Sequence, residues 1–597
     1  MNFYLDSSEW KWLYKNAIDW DKIIPLYHPQ FPTEDGFNSA DELIDYFEDV
    51  LAATGKWGAE AIAPRAKVLD AQGGGVVVDG ETKFNAPLNE LYREAKELKF
   101  HSLSVEQEYG GMGLPSVIGF MAFGHVCRGC QASAAQITFF GTIADMIARF
   151  ASEEWKEKLI PRIASGEISG SMCLTEPDCG SDLGAIKTTA TTQDDGSYLL
   201  NGVKIFITNG GADIGLVLGR IKGAADGLSG LSLFLVERII TKDGEKVKNF
   251  MVAKTEEKMG QHGSLTCEVI YENTVAHLIG EESHGFQYML FLMNEARTGV
   301  GMQSIGGMEA AISMVKKYGG ERTQFGKRLL DLPLYKRNIM DMETELDGFR
   351  ALCMDSISHY DIYQKLDMKI RKTGDLNKHE RAIFNEAKKW VRRRTPLLKY
   401  YGTETFSSMA IKCLQGFGGC GYMREFEIER IVRDSCGALL YEGTSQIQSL
   451  MALKDLMKYI LKNPAKYFQT ILFSHPIGNF ASNKGQSTRT FYKSQYEFRK
   501  NIASLLLKIF KPDFDISSGD AMKIFSVNTW FKEEKFDLLL VHSEKICQAL
   551  SYLETLRVLA KHTEIDESRV DLFSRYQRLI NPRLVAIYEG WRTYENE

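Results

Sequence analysis

The sequence predicts a mainly α-helical protein with a central β domain. Residues 1–170 and 285–461 place apolar side chains at helical spacing, as in Ala40 to Leu51 behind the N-cap candidate Ser39. From about Ser171 the residue pattern changes to short runs of β-branched and aromatic residues, separated by Asp-Gly and Asn-Gly pairs that are typical of turns. The order of these patterns along the chain predicts a helical domain, then a compact β domain, then a helical bundle.

We divide the chain into four regions. The first combines an N-terminal extension with a helical domain, the second is the β domain, the third is a four-helix bundle, and the fourth is a linker with an additional helical domain. The predicted regions are 1–170, 171–284, 285–461 and 462–597.

Several local elements follow from residue pattern. Within Tyr198 to Ile205, the pair Asn201-Gly202 predicts a two-residue hairpin turn. Residues 473–495 are rich in Ser, Asn, Gly and Thr, which predicts a linker or extended connection. Tyr496 to Ile509 and Phe536 to Ala560 have the pattern of amphipathic helices.

Composition favours an ordinary globular protein of the cytoplasm. A net charge of -6 and a pI near 6.1 give no global reason to expect nucleic-acid binding. The first residues resemble neither a secretory signal nor a transit peptide, so we expect a cytoplasmic location. No apolar run approaches the roughly 18 to 20 residues that span a bilayer.

The ten cysteines are scattered and predict reduced, buried thiols. Cys127 and Cys130 have CxxC spacing, but His125 alone does not complete a zinc site. Two unconnected thiols are favoured over a redox or metal role, and no metal is expected.

One acidic residue is the strongest catalytic candidate. Glu442 stands beside Gly443 in an otherwise uncharged run, YEGTSQIQ, from Tyr441 to Gln448. Burial in such a segment disfavours the charged carboxylate and raises its pKa, which a base needs in order to remove a weakly acidic C–H proton.

A second motif, Cys173 to Ala185 (CLTEPDCGSDLGA), lies far upstream. Together the two runs resemble the base motif and the flavin-binding signature of the acyl-CoA dehydrogenase family, over about 94–454. The resemblance implies an N-terminal helical domain, a middle β-barrel and a C-terminal helical bundle. The extra N- and C-terminal segments resemble those of the longer subgroup that includes 3-methylmercaptopropionyl-CoA dehydrogenase and broad-range fatty acyl-CoA dehydrogenases.

The resemblance implies oxidation of an acyl-CoA to its trans-2-enoyl-CoA with noncovalent FAD. Glu442 would remove the α-proton, flavin N5 would accept the β-hydride, and the Glu442 amide would help to hold the thioester carbonyl. Arg297 resembles the arginine that contacts the CoA portion, with Asn294, Gly443 and Ser181 as further substrate contacts.

Some relatives take their base from the position directly before this arginine. Here that position is Ala296, with Glu295 one step further back. Because one residue turns a helix by about 100°, Glu295 should not point in the direction of that alternative base.

The family's flavin contacts map onto two stretches of this sequence. Thr175 can donate to a flavin heteroatom, Phe206 would lie against the ring in place of the more usual Trp, and Thr208 would lie near N5. Cys179 departs from the small residue that is customary in the signature. The implied ring and pyrophosphate contacts are Met172, Leu174, Thr175, Gly180, Ser181, Phe206, Ile207 and Thr208.

A further set would reach FAD bound mainly to a neighbouring subunit, which implies a dimer or higher homo-oligomer. Arg322 suits a pyrophosphate because its guanidinium is a planar, permanently charged fork. The glycine cluster from Gln415 to Gly421 contains a formal GxGxxG, but it sits between helices and not in a Rossmann strand-turn-helix. Pro333 replaces a common glutamine contact. The implied set is Arg322, Phe325, Gln415, Gly418, Gly419, Thr444 and Gln446.

Two other functions remain open at this point. An acyl-CoA oxidase shares the flavin and the base but returns electrons to oxygen, whereas a dehydrogenase would use an electron-transfer flavoprotein. A relative that binds DNA through a helical C-terminal domain is disfavoured because Arg569, Arg575, Arg578 and Arg583 are interleaved with acidic residues.

Overall fold

The N-terminal region is helical, with one small hairpin. The predicted helix at Ala40 is confirmed, because the Ser39 side chain caps it by accepting from the backbone N–H of Glu42 at 3.2 Å. Trp10 anchors the first helix to the bundle by donating to Glu309 at 2.7 Å. The helices are α1 Ser8–Asn16, α2 Trp20–Tyr27, α3 Ala40–Trp57, α4 Ala63–Gln72, α5 Ala86–Glu97, α6 Ser116–Gly129, α7 Gln131–Ile137, α8 Gly141–Phe150 and α9 Glu153–Ala164, and the hairpin strands are β1 Gly75–Val78 and β2 Glu81–Phe84.

The central region contains the main sheet. Strand pairing closes a ring in the order β5, β4, β6, β7, β11 and back to β5, which makes a small barrel, and β3 and β10 extend it. A separate two-stranded ribbon, β8 with β9, projects from it. The strands are β3 Gly170–Cys173, β4 Thr189–Thr192, β5 Tyr198–Thr208, β6 Ile214–Ile221, β7 Leu231–Glu237, β8 Ile239–Lys242, β9 Glu245–Lys248, β10 Met251–Thr255 and β11 Thr266–Ile279.

The predicted hairpin at Asn201-Gly202 is wrong. Strand β5 runs unbroken through both residues, and Gly202 pairs with Tyr271 of β11. A Cβ on Gly202 would lie 2.3 Å from the Thr188 side-chain oxygen. The glycine is therefore needed for close packing between strands and not for a turn.

A helical bundle follows. Helices α10 and α11 are joined by a hairpin whose strands are β12 Thr323–Gln324 and β13 Lys327–Arg328, and Pro333 occupies the first turn of α11, where its missing N–H costs nothing. The glycine cluster from Gln415 to Gly421 ends α12, so it lies between helices as the sequence predicts. The helices are α10 Gly285–Glu321, α11 Pro333–Thr373, α12 Lys378–Phe417, α13 Ile428–Ala438 and α14 Ser445–Lys462.

Additional C-terminal helices pack against the bundle. Tyr401 of α12 and Tyr576 share a hydrogen bond of 3.0 Å, and Arg583 pairs with Glu345 of α11 at 2.5 Å. The predicted linker over 473–495 is wrong for its last ten residues, which lie in a helix, and almost all of the remainder falls outside the described residues. The helices are α15 Gln486–Phe510, α16 Glu533–Leu540, α17 Ser543–Ile565 and α18 Val570–Thr593. The computed structural model describes residues 1–138, 141–462, 467, 469–471, 485–510 and 533–594.

The predicted fold class is confirmed: the chain is mainly helical around a central β region, with extra C-terminal helices. Within the described ranges, no helix is both long and apolar enough to cross a membrane. Cys127 and Cys130 are buried free thiols, and burial raises the pKa of both. No group of three or more potential metal ligands occurs among the residues that the structure describes.

Candidate active site

A large cavity lies between the β region and the bundle. Its volume is about 1460 Å³, and it is lined by residues of β3, β5, α8 and α10 and by the loop that carries Glu442. Pockets for one small ligand are typically about 300–1,000 Å³. This cavity therefore has room for more than one bound group.

Glu442 sits in the connection between α13 and α14. Its backbone is left-handed, with φ of +58°, and Gly443 follows with φ of +90°. Residues other than glycine rarely adopt this conformation, so a strained backbone here indicates a position that surrounding contacts hold in place.

Three side chains hold this connection by its backbone. Arg297 of α10 donates from Nε to the Glu442 carbonyl oxygen at 3.1 Å, and Gln448 of α14 donates to the same oxygen at 2.9 Å and to the Gly443 carbonyl at 3.1 Å. Lys399 of α12 donates to the Leu439 carbonyl at 3.0 Å. Each contact comes from a different helix of the bundle, so the packed bundle fixes the conformation of the connection.

Tyr441, next to Glu442, is held from two sides. Its hydroxyl donates to Gln303 of α10 at 2.8 Å and accepts from Gln261 at 3.1 Å. These bonds keep the neighbour of Glu442 in one orientation, since both partners are buried.

Burial raises the pKa of Glu442, and the nearby cations Arg297 and Lys399 oppose that rise. Lys399 is itself fully buried, and burial lowers its pKa to about 8, against the pull of Glu442. The carboxyl group therefore has a raised pKa, as a general base requires, while two cations retain part of the ionised form.

All eight residues predicted as ring and pyrophosphate contacts line the cavity. Phe206 presents its ring there: the residue is 61% exposed, and its backbone is left-handed with φ of +60°. Gly180 is open, since a Cβ at that position would meet only a Thr175 methyl group at 3.6 Å. An exposed ring beside an open glycine and apolar Met172 and Leu174 fits a flat, tricyclic group such as a flavin.

A buried ion pair holds the part of the cavity lining that follows β3. Lys204, with no exposed surface, donates to Glu176 at 2.8 Å and to the Leu174 carbonyl at 2.9 Å. Glu176 also accepts from Thr188 and from the Lys187 backbone N–H. The pair ties the segment after β3 to β5, a role that the sequence did not indicate.

The predicted substrate contacts divide into two groups. Ser181, Gly443 and Arg297 line the cavity, whereas Asn294 does not. Arg297 is buried, with 2% of its surface exposed, and it donates to the Glu442 backbone and, at 3.5 Å, to Asn294.

Most of the residues expected to contact the FAD of a neighbouring subunit lie on the surface, outside the cavity. Of this set, only Thr444 lines the cavity. Phe325 projects from the β12–β13 hairpin, and the residue is 90% exposed. Gly418 and Gly419 form an open turn directly after α12, where an added Cβ would meet no atom of the described residues within 4 Å. Because a helix precedes this turn, it is not a Rossmann phosphate loop. The other exposed members are Arg322, Gln415 and Gln446.

Sequence reasoning missed the residues that hold the connection carrying Glu442. Gln448 is inside the YEGTSQIQ run, so the motif contained the signal, but Lys399 and Gln303 lie in the middle of long helices and carry no local signature. Their function is visible only when the bundle brings them against the Tyr441–Glu442 connection.

Family models match three consecutive stretches of the chain. Residues 48–167, 171–274 and 283–457 match the N-terminal, middle and C-terminal domains of acyl-CoA dehydrogenase, respectively. These matches together cover well over half of the sequence.

Two curated relatives and one solved structure extend the comparison. The acryloyl-CoA reductase (NADH) of Anaerotignum propionicum is 32% identical over 388 residues, or 64% of this chain and 89% of that protein. The 3-methylmercaptopropionyl-CoA dehydrogenase of Ruegeria pomeroyi is 29% identical over 438 residues, or 70% of this chain and 72% of that protein. A crystal structure of an acyl-CoA dehydrogenase complexed with FAD from Bacillus anthracis has a TM-score of 0.74 at 21% identity, covers 98% of this chain and 92% of that chain, and shows a shared fold.

Proposed function

The chain belongs to the acyl-CoA dehydrogenase family, and we propose that it oxidises an acyl-CoA thioester to the trans-2-enoyl-CoA, with FAD as cofactor and Glu442 as the base that removes the α-proton. It is an oxidoreductase acting on a CH–CH bond. The observation that carries the proposal is a half-buried carboxyl group with a raised pKa, near two buried cations, on the same cavity as the exposed ring of Phe206.

In this proposal Glu442 takes the proton from the carbon next to the thioester carbonyl. Its raised pKa brings its basicity closer to what that weakly acidic carbon requires. The backbone N–H of Glu442 donates to the thioester oxygen and stabilises the enolate-like charge that develops there. Arg297, Gln448 and Lys399 hold the backbone so that the carboxyl group stays inside the cavity.

The eight cavity residues from Met172 to Thr208 would hold the flavin ring, with Phe206 against one face and Thr175 and Thr208 as hydrogen-bond partners. FAD, when bound, supplies the acceptor for the hydride that leaves Cβ. The exposed Arg322, Phe325 and the Gly418–Gly419 turn suit contact with FAD of a second subunit, so we propose a homo-oligomer.

An electron-transfer flavoprotein is the proposed oxidant. Anaerobic reoxidation of the reduced enzyme by such a protein supports a dehydrogenase, whereas rapid oxygen consumption without it would identify an oxidase. Nucleic acid is not proposed as a partner, because Arg569 pairs with Glu9 at 2.5 Å and Arg583 with Glu345, so neither offers a free charge to phosphate.

The central experiment is Glu442→Gln. We expect the variant to keep its yellow cofactor but to lose anaerobic flavin bleaching by acyl-CoA at least about 100-fold, since the amide cannot accept the α-proton. The exposed Glu386→Gln on α12 is the matched control and should bleach like wild type. Unchanged turnover in the Glu442 variant would disprove the assignment of the base.

A further inference from the structure

Helix α10 presents three consecutive residues to the cavity. Ala296 lies between Glu295 and Arg297, and all three line the cavity. Because successive residues are rotated by about 100°, Glu295 and Arg297 project to opposite sides of Ala296. Arg297 contacts the backbone of Glu442, whereas Glu295 contacts Thr142 of α8. The cavity over Ala296 is therefore bounded by the base on one side and by Glu295 on the other.

The Glu295 carboxyl group is incompletely satisfied. Thr142 donates to Oε1 at 3.3 Å, while Oε2 is buried and has no hydrogen-bond partner among the residues that the structure describes. Burial and the charge of Asp145 raise the pKa of Glu295 to about 8, against Arg149 and the Thr142 bond. The group is thus mainly protonated at neutral pH, and because Oε1 accepts from Thr142, the proton is on Oε2 as an unused donor.

Asp145 and Arg149 are the charged groups that act on Glu295, and Arg149 is itself paired with carboxylates. Arg149 Nε pairs with Asp145 at 2.6 Å, Nη1 pairs with Asp367 at 2.9 Å, and Nη2 donates to Gln364. Asp367 also accepts from Arg371 at 2.8 Å, so the two carboxylates and the two guanidinium groups of this cluster balance in charge. A substrate carboxylate at this wall would find no cation of the cluster without a carboxylate partner, so its own charge would be left unbalanced.

We propose that Glu295 and Thr142 form a hydrogen-bonding subsite for an oxygen substituent, a hydroxyl or keto group, on the acyl chain of the substrate. This inference rests on the proposed function. The substituent is at carbon 4 or beyond, because Cα and Cβ are the carbons that are oxidised. The terminal torsion of a glutamate side chain is soft, so a rotation of the carboxyl group presents its O–H to the bound chain.

The chemistry of the wall excludes two other acyl classes as preferred substrates. A plain alkyl chain leaves the buried O–H without a partner, which a site built for an oxygen substituent disfavours. An ω-carboxylate finds Arg149 paired with Asp145 and Asp367, and Arg371 paired with Asp367, so its charge has no partner in this cluster. A neutral oxygen substituent satisfies the donor without adding charge.

The test compares kcat/KM of the FAD-loaded enzyme for matched pairs of CoA thioesters: butanoyl and 4-hydroxybutanoyl, hexanoyl and 6-hydroxyhexanoyl, octanoyl and 8-hydroxyoctanoyl, and suberyl-CoA. At one chain length we expect wild type to prefer the hydroxylated member by about 10-fold or more. Glu295→Gln keeps a donor of the same shape and should retain most of the preference. Glu295→Leu removes it and should lower the ratio by about 10-fold or more.

The outcomes separate this inference from the function on which it depends. If wild type oxidises the alkyl thioesters as well as or better than the hydroxylated ones at every length, or prefers suberyl-CoA, the subsite is disproved while the dehydrogenase function stands. This wild-type comparison decides the question even if Glu295→Leu fails to fold. If wild type bleaches with none of the thioesters, the proposed function falls, and the subsite falls with it.

Discussion

Arg297 donates from Nε to the backbone carbonyl oxygen of Glu442 at 3.1 Å, so the guanidinium holds the peptide of the base and leaves its carboxylate free. The arginine is almost completely buried, and its charge also opposes the rise in the pKa of Glu442. One side chain therefore contributes both to the position of the base and to its protonation state.

Arg297→Lys separates these two contributions. Lysine keeps the positive charge but lacks the planar fork that reaches the Glu442 carbonyl, so the left-handed backbone loses one of its holding bonds. We expect kcat/KM to fall by on the order of 10- to 100-fold, because removal of a charged hydrogen-bond donor from a buried acceptor costs about 1.5–3 kcal/mol. Steady-state kinetics at saturating FAD measures the loss.

The exposed Arg381→Lys on α12 is the matched control, since its partner Asp375 is also at the surface. It should leave the kinetics unchanged. Wild-type kcat/KM in Arg297→Lys would show that the bond to Glu442 has no part in positioning the base.

Residues inside short motifs could be predicted from the sequence, and residues held by tertiary contacts could not. Glu442 and Phe206 lie in short sequence motifs that predict their roles without a structure, and both residues line the cavity. Lys399 and Glu295 sit in long helices among many other charged residues. Only helix packing distinguishes a buried lysine at an active site from a lysine on a solvated helix face.

Residue types that favour turns and linkers were the least reliable predictors of local structure. Asn201-Gly202 has the composition of a hairpin turn, yet Gly202 lies in an extended strand that pairs with β11, and Thr188 is so close that a Cβ would not fit. The Ser- and Thr-rich residues from Gln486 begin helix α15, since burial of Phe491 and Phe498 against neighbouring helices overrides weak local propensity.

Lys399→Met should change the pH profile of the reaction. The ammonium group lowers the pKa of Glu442, and the other charged groups that act on Lys399 are Glu404 and Arg297. Without the ammonium group, the pKa of Glu442 rises, so the acid limb of kcat/KM moves to higher pH. We expect a shift on the order of one pH unit, as for loss of a nearby opposite charge.

Lys399→Arg provides the conservative comparison because it retains the charge. It should keep the acid limb near its wild-type position even if kcat falls through altered packing around the Leu439 carbonyl. An acid limb that stays in place in Lys399→Met would mean that the lysine acts only on the backbone, and not on the protonation of the base.

Asp355 should link the C-terminal helices to the bundle in a pH-dependent way. It lies on α11 with 2% of its surface exposed and pairs with Arg394 of α12, and with Arg557 and Lys561 of α17 at 3.3 and 3.4 Å. Burial alone would raise the pKa of Asp355, but Arg394 and then Arg557 hold it well below its ordinary value of 3.8.

A carboxyl group whose pKa is depressed in the folded protein contributes stability that is present above the unfolded value and is lost as pH falls towards the folded value. Asp355→Asn removes that charge at every pH and leaves Arg394 and Arg557 with Glu554 as their remaining carboxylate partner. We expect a loss of about 3–5 kcal/mol of unfolding free energy at pH 7, with hydrogen exchange accelerated in α17 more than in α10. The difference from wild type should shrink below about pH 4, because wild-type Asp355 then gives up the same interaction.

Asp194→Asn, at an exposed turn, is the control and should change neither stability nor hydrogen exchange. Equal stability of wild type and Asp355→Asn at pH 7 would show that the hydrophobic contacts of α17 and α18, and not this ion cluster, fix the C-terminal helices to the bundle.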